Sequence, residues 1–168
     1  IYEYRPDDRT QYLDAIQSAL EKAAEEGRIL YSKDSSNGSS FLYHTITMDQ
    51  YLPRLKTKDS SWGTDFIYQY WIRFRENKVC GIFEIGGWNV PEKSMENMQR
   101  MIGILKPNDK RKEKFRYKRL FRTKWYEVKE SEHIQEDFFI CTKRVIEELL
   151  HQEKDLLRKM SAQESESQ

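Results

Sequence analysis

The stretch FIYQYWIRFRENKVCGIFEIGG, residues 66–87, alternates as a pleated strand pair does. Phe66, Tyr68, Tyr70, Ile72 and Phe74 fall on one side, and Ile67, Gln69, Trp71, Arg73 and Arg75 on the other, because successive strand side chains point to opposite faces. Apolar residues occur on both sides, so both faces are at least partly covered. Glu76, Asn77 and Lys78 supply a turn, residues 79–85 (VCGIFEI) the partner strand, and Gly86 and Gly87 its end. Glu84 stands in the middle of that apolar strand. A carboxylate there either faces solvent or pairs with a cation such as Arg73 across the hairpin. Pairing is the expected outcome, since opposite charges facing each other stabilise a sheet.

Upstream of this hairpin, Tyr12, Leu13, Ile16 and Leu20 recur at helical spacing after an acidic start at Asp7 and Asp8, with Gly27 as a stop. Residues 28–32 (RILYS) and 41–47 (FLYHTIT) read as a second hairpin around a mobile loop, KDSSNGSS. Residues 48–55 hold a helical turn ended near Pro53, and residues 60–63 a turn. Downstream, Asn89 is placed to cap a helix with Pro91 in its first turn and Met95, Met98, Ile102 and Leu105 along one face. A long strand is predicted over residues 115–128. Last comes a helix from about 131 to 160, striped by Ile134, Phe138, Cys141, Val145, Leu149 and Leu156. The polar residues 161–168 are predicted to be a disordered tail. The expectation is one α+β domain over residues 1–160, a mostly antiparallel sheet with helices packed on one face and a long C-terminal helix.

With 168 residues the chain is long enough for one real core, and aromatic residues, at 13%, supply much of it. Cys80 and Cys141 lie far apart within apolar patterns, which suits buried reduced thiols. No apolar run approaches the ~20 residues of a membrane span and no secretory signal opens the chain, so the expected compartment is cytoplasmic, without membrane. Because the first residue is Ile1 and not Met, the expectation is a piece of a longer protein, with upstream domains out of view.

Charge is segregated rather than abundant. The run KPNDKRKEKFRYKRLFRTK, residues 106–124, holds ten basic and two acidic residues, while the rest keeps 19 of the 29 basic and 26 of the 28 acidic ones, a net of −7. Along the predicted strand, alternation sends Arg116, Lys118, Arg122 and Lys124 to one face, interrupted only by Leu120, and Phe115, Tyr117, Phe121 and Trp125 to the other. Same-side positions are about 7 Å apart, so such a row can follow a phosphate backbone without reading bases. Lys110, Arg111, Lys112 and Lys114 extend it from the preceding loop. The competing reading is a solvated edge strand protected by charge, or a basic face docked on the acidic helix that follows.

A metal-dependent nuclease needs carboxylates and a lysine around Mg²⁺. Glu76-Asn77-Lys78, with Asp65 before the hairpin, and Glu127-Val128-Lys129, with Asp109, are the available triplets. In a chain this rich in Glu and Lys both are expected by chance, so no catalytic residue, metal ligand or cofactor is assigned. His44, His133 and His151 lack metal-ligand spacing and read as surface or core histidines. Trp71, Trp88 and Tyr126 are candidate stacking groups, though aromatics more often supply core.

Four stretches in order, HTITMDQYLPRL, SSWGTDFIYQYWIRF, CGIFEIGGWNVPEKSMENMQRMIGILK and FRYKRLFRTKWYEV, together resemble the C-terminal region of bacterial proteins of the PD-(D/E)XK nuclease superfamily. The resemblance covers about residues 40–150. It implies a part in phage defence or DNA processing for a parent protein. In that family the catalytic Asp and (Asp/Glu)-x-Lys lie further N-terminal, and no position here matches them. The leading expectation is therefore an accessory nucleic-acid-binding domain, with DNA as the partner. The rivals are a nuclease using Asp65, Glu76 and Lys78, and an interaction module or homodimer using Ile146, Leu150 and Leu157 on the last helix.

Overall fold

A computed structural model describes residues 6–32, 40–108, 115–129 and 132–166, and within them the α+β architecture is as expected. In chain order the elements are α1 (Pro6–Glu25), β1 (Leu30–Tyr31), β2 (Ser40–His44), α2 (Ile46–Tyr51), β3 (Tyr68–Arg75), β4 (Lys78–Gly86), α3 (Glu92–Leu105), β5 (Tyr117–Arg122), β6 (Tyr126–Glu127) and α4 (Ile134–Glu166). The strands form one antiparallel sheet in the order β1-β2-β3-β4-β5, and β6 also pairs with β4. The hairpin of residues 66–87 is its centre. Arg75 pairs with Lys78 across the turn, and Tyr68 with Ile85 at the far end.

One face of this hairpin is built from rings. Tyr43 stacks on Tyr70 at 5.1 Å, Phe83 lies 4.7 Å from Tyr70 and 4.8 Å from Phe121, and all are buried. Helix α4 crosses β4 on this side at Gly81, where an added Cβ would lie 2.5 Å from Leu149 Cδ1 and 2.6 Å from Val145 Cγ1. Only a residue without a side chain admits the helix at that depth. Tyr12 of α1 stacks on Phe138 of α4 at 4.5 Å, and Arg100 of α3 reaches the Met160 carbonyl. Thr45 caps α2 by accepting from the Met48 N–H and donates to Glu153 of α4 at 2.5 Å. The described helices thus gather on one face of the sheet, as predicted.

Three local expectations change. Asn89 does not cap α3: its backbone is left-handed at φ 54°, its side chain donates to the Asp59 carbonyl at 2.7 Å, and Pro91 occupies the cap position. Helix α4 runs on through 161–166, the stretch read from sequence as a tail; there Arg100 clamps the Met160 carbonyl at 2.7 Å and Glu164 at 3.1 Å. The strand predicted over 115–128 is broken into β5 and β6. Where it breaks, Thr123 mends the ladder, its N–H donating to the Gly81 carbonyl and its hydroxyl accepting from the Gly81 N–H, both at 2.9 Å.

Candidate nucleic-acid interface

The pairing of β4 with β5 contains a bulge. Phe83 faces Phe121, but Glu84 faces Arg119, so Leu120 is the extra residue and turns into the core. One inserted residue reverses the parity of everything on its far side. Phe121 lies on the helix side opposite Phe83, whereas Tyr117 lies opposite Gly86 on the other face, against Trp62. The expectation that Phe115, Tyr117, Phe121 and Trp125 share a core face is therefore corrected.

The basic row is re-sorted by the same bulge. Arg122, opposite Ile82, is exposed on the face away from the helices. Lys118, opposite Ile85, is turned to the helix side, 7% exposed, with its ammonium 5.6 Å from the Phe115 ring centre. Lys124 sits in the break, exposed, 4.9 Å over the Tyr126 ring, whose hydroxyl reaches Glu148 of α4. Arg116 is exposed just before β5, its guanidinium 4.7 Å over Trp88 and 5.1 Å over Tyr117. Lys110, Arg111, Lys112 and Lys114 lie outside the described residues, as does Asp109. The four described cations of the predicted row thus do not share a face.

A different set does. In register across the sheet, Trp71, Ile82 and Arg122 form one row, Gln69, Glu84 and Arg119 the next, and Arg73 stands opposite Cys80. Glu84 faces Gln69 and Arg119, not Arg73 as the hairpin pattern alone suggested. Burial pushes the Cys80 thiol up, and the guanidinium groups of Arg73, Arg122 and Arg119 act against that rise. Arg73, Arg122 and Arg119 thus stand along one face of β4, opposite Cys80, Ile82 and Glu84 in turn. Arg73 and Arg122 make no ion pair among the described residues, and Arg73 lies 5.9 Å over the Trp125 ring. Beside them a groove of about 730 Å³ runs along β5, lined in part by Lys106, Asn108, Arg119 and Arg122.

Arg73 and Arg119 were missed as members of the site. Arg73 has the same parity as Trp71 in the central hairpin, which was a usable signal. Arg119 had none except Leu120, the apolar residue that interrupts the basic alternation.

On the helix side a second constellation surrounds Glu153, which is 4% exposed. Its carboxylate accepts from the hydroxyls of Tyr70 at 2.8 Å, Thr45 at 2.5 Å and Thr47 at 2.8 Å. Burial first, and Glu153 second, hold the Tyr70 hydroxyl protonated well above its usual range. A cavity of about 480 Å³ opens beside it, lined in part by Ile46, Thr47, Leu150, Glu153 and Leu157. Of the second stripe on the last helix, Ile146 is buried at the junction with Ala19 and Ala23 of α1, and Leu150 and Leu157 line this cavity.

The nuclease trio does not assemble. Asp65 precedes β3 and Glu76 follows it, so the length of the strand separates them, on the order of 25 Å. Among the described residues no three His, Cys, Asp or Glu side chains are grouped as a metal site would need. Nor is any described helix long and apolar enough to cross a membrane. No family model, curated protein or solved structure matches this chain.

Proposed function

We propose that this chain binds nucleic acid through the helix-free face of its sheet, as an accessory domain of a DNA-processing or defence protein. The observation that carries the reading is that Arg73, Arg119 and Arg122, from β3 and β5, share one face of the sheet in register with Cys80, Glu84 and Ile82 of β4. Cations gathered on one side displace counterions from a polyanion, whereas the same cations scattered over the surface do not. Glu84 and Glu127, the carboxylates of this face, each stand directly opposite a cation, Arg119 and Lys78. The role in a larger protein rests on the resemblance to nuclease-superfamily C-terminal regions, and DNA is the partner that resemblance favours.

The test is the salt dependence of binding to a labelled DNA. Affinity should fall steeply with salt, and Arg122→Ala should reduce the logarithmic slope by about one. A slope unchanged by Arg122→Ala and by Arg73→Ala would remove this face as the site.

A further inference from the structure

Resting on that reading, we infer that the partner is single-stranded, and that tryptophans on this face stack its bases while the arginines hold its phosphates. The chain has four tryptophans, and each lies on or beside the helix-free face. Trp71 projects from β3 in the row of Ile82 and Arg122. Trp125 lies under Arg73, Trp62 lies against Gly86, and Trp88 lies under Arg116. The opposite face uses tyrosine and phenylalanine instead.

Two stations result, each a ring with a guanidinium over it. One is Trp88 with Arg116, adjoined by Tyr117 and Trp62, whose centroids are 5.2 Å apart. The other is Trp125 with Arg73. From Gly86, beside the first, to Cys80, opposite Arg73, β4 runs about 20 Å, the reach of roughly three to six nucleotides. That overlaps the lower end of the ~4–16 nucleotides that single-strand grooves cover. Arg119 and Arg122 lie between the stations in register.

A duplex has no use for this arrangement. Its base faces are closed within the stack, so it meets a protein face through phosphates and groove edges. Yet Trp88 is 51% exposed, a large apolar ring left in water beside a cation. An unstacked base covers such a ring on the protein and its own face at once, which is why single strands are bound by aromatic rings on sheets.

Labelled oligo(dT) of about 16 nucleotides and a duplex of equal length separate the possibilities, read by anisotropy and by intrinsic tryptophan emission. The expected result is tighter binding of the single strand by at least about tenfold, with quenched emission. Trp88→Ala should weaken that binding by about tenfold with the salt slope unchanged, and Trp88→Phe should restore most of it. Circular dichroism confirms that these variants fold. Duplex binding as tight or tighter, without quenching, overturns the single-strand inference and leaves the nucleic-acid reading standing. Binding of neither at low salt overturns both.

Discussion

The two faces of the sheet are covered by different means. On the helix side, tyrosines bring their hydroxyls into the core, and their rings pack on one another and on Phe83 and Phe121. Glu153 and Asp49 accept from two of those hydroxyls: Tyr70 donates to Glu153 at 2.8 Å and Tyr68 to Asp49 at 2.5 Å, while the buried Tyr43 hydroxyl has no partner among the described residues. On the other face no described helix arrives, yet Cys80 and Ile82 are each only 1% exposed. There Trp71, Arg73 and Arg122 flank them in register. Long planar side chains cover apolar strand positions while leaving their charged or polar ends in water. The first face is a hydrogen-bonded core centred on Glu153, and the second keeps the exposed Arg73 and Arg122 over apolar strand positions.

That contrast is broken most directly at Glu153. Glu153→Ala leaves the Tyr70, Thr45 and Thr47 hydroxyls without their common acceptor and should cost about 3–5 kcal/mol in urea unfolding. Glu153→Gln keeps one acceptor oxygen and should cost less.

Acid acts at the end of β2. His44 lies flat on Phe66, which also carries Arg54 at 4.2 Å, with Tyr68 edge-on. Burial, with Arg54 adding to it, lowers its pKa from 6.5 to about 3 against the opposing effect of a hydrogen bond that the ring donates to the Tyr68 backbone. The folded state keeps the ring neutral while the unfolded state takes up a proton. Stability is therefore full above about pH 6.5 and falls as the pH drops toward about 3, by up to about 4 kcal/mol. His44→Phe should flatten that part of the profile, which urea midpoints across the acid range would reveal. A wild-type and variant profile of equal slope would contradict the assignment.

Gly81→Ala drives a methyl group into Leu149 and Val145 and should cost about 1–3 kcal/mol of thermal or chemical stability. On the open face, Arg73→Ala and Arg122→Ala should each cost about 0.5–1 kcal/mol, from the apolar surface they cover, while weakening binding. The bulge provides the sharpest pair. Arg122→Ala should lower the salt slope by about one, and Lys118→Met should leave it unchanged. Equal slopes for the two variants would mean that Lys118 reaches the ligand after all.

Much of the fold was legible in local pattern. The 66–87 hairpin, the helix after Gly87 and the amphipathic last helix were all readable, because each depends on a periodicity carried within one segment. The candidate site was legible only as composition. A cluster of cations between 106 and 124 was plain, but their sorting was not, since Lys118 and Arg122 are four residues apart and should share a face in any unbroken strand. Leu120 was the visible irregularity. Whether it marks a bulge depends on its partner strand, where Glu84 meets Arg119 and Phe83 meets Phe121.

The chain alone determined that there is an antiparallel sheet, that helices cover one side of it, and that positive charge is concentrated late in the sequence. Only the folded molecule decided which charges stand together. Strand register belongs to a pair of segments distant in sequence, so an extra residue at Leu120 and the break at Thr123 become effective only when β5 and β6 meet β4. That meeting removes Lys118 from the row, adds Arg119, and brings Arg73 from another strand beside Arg122.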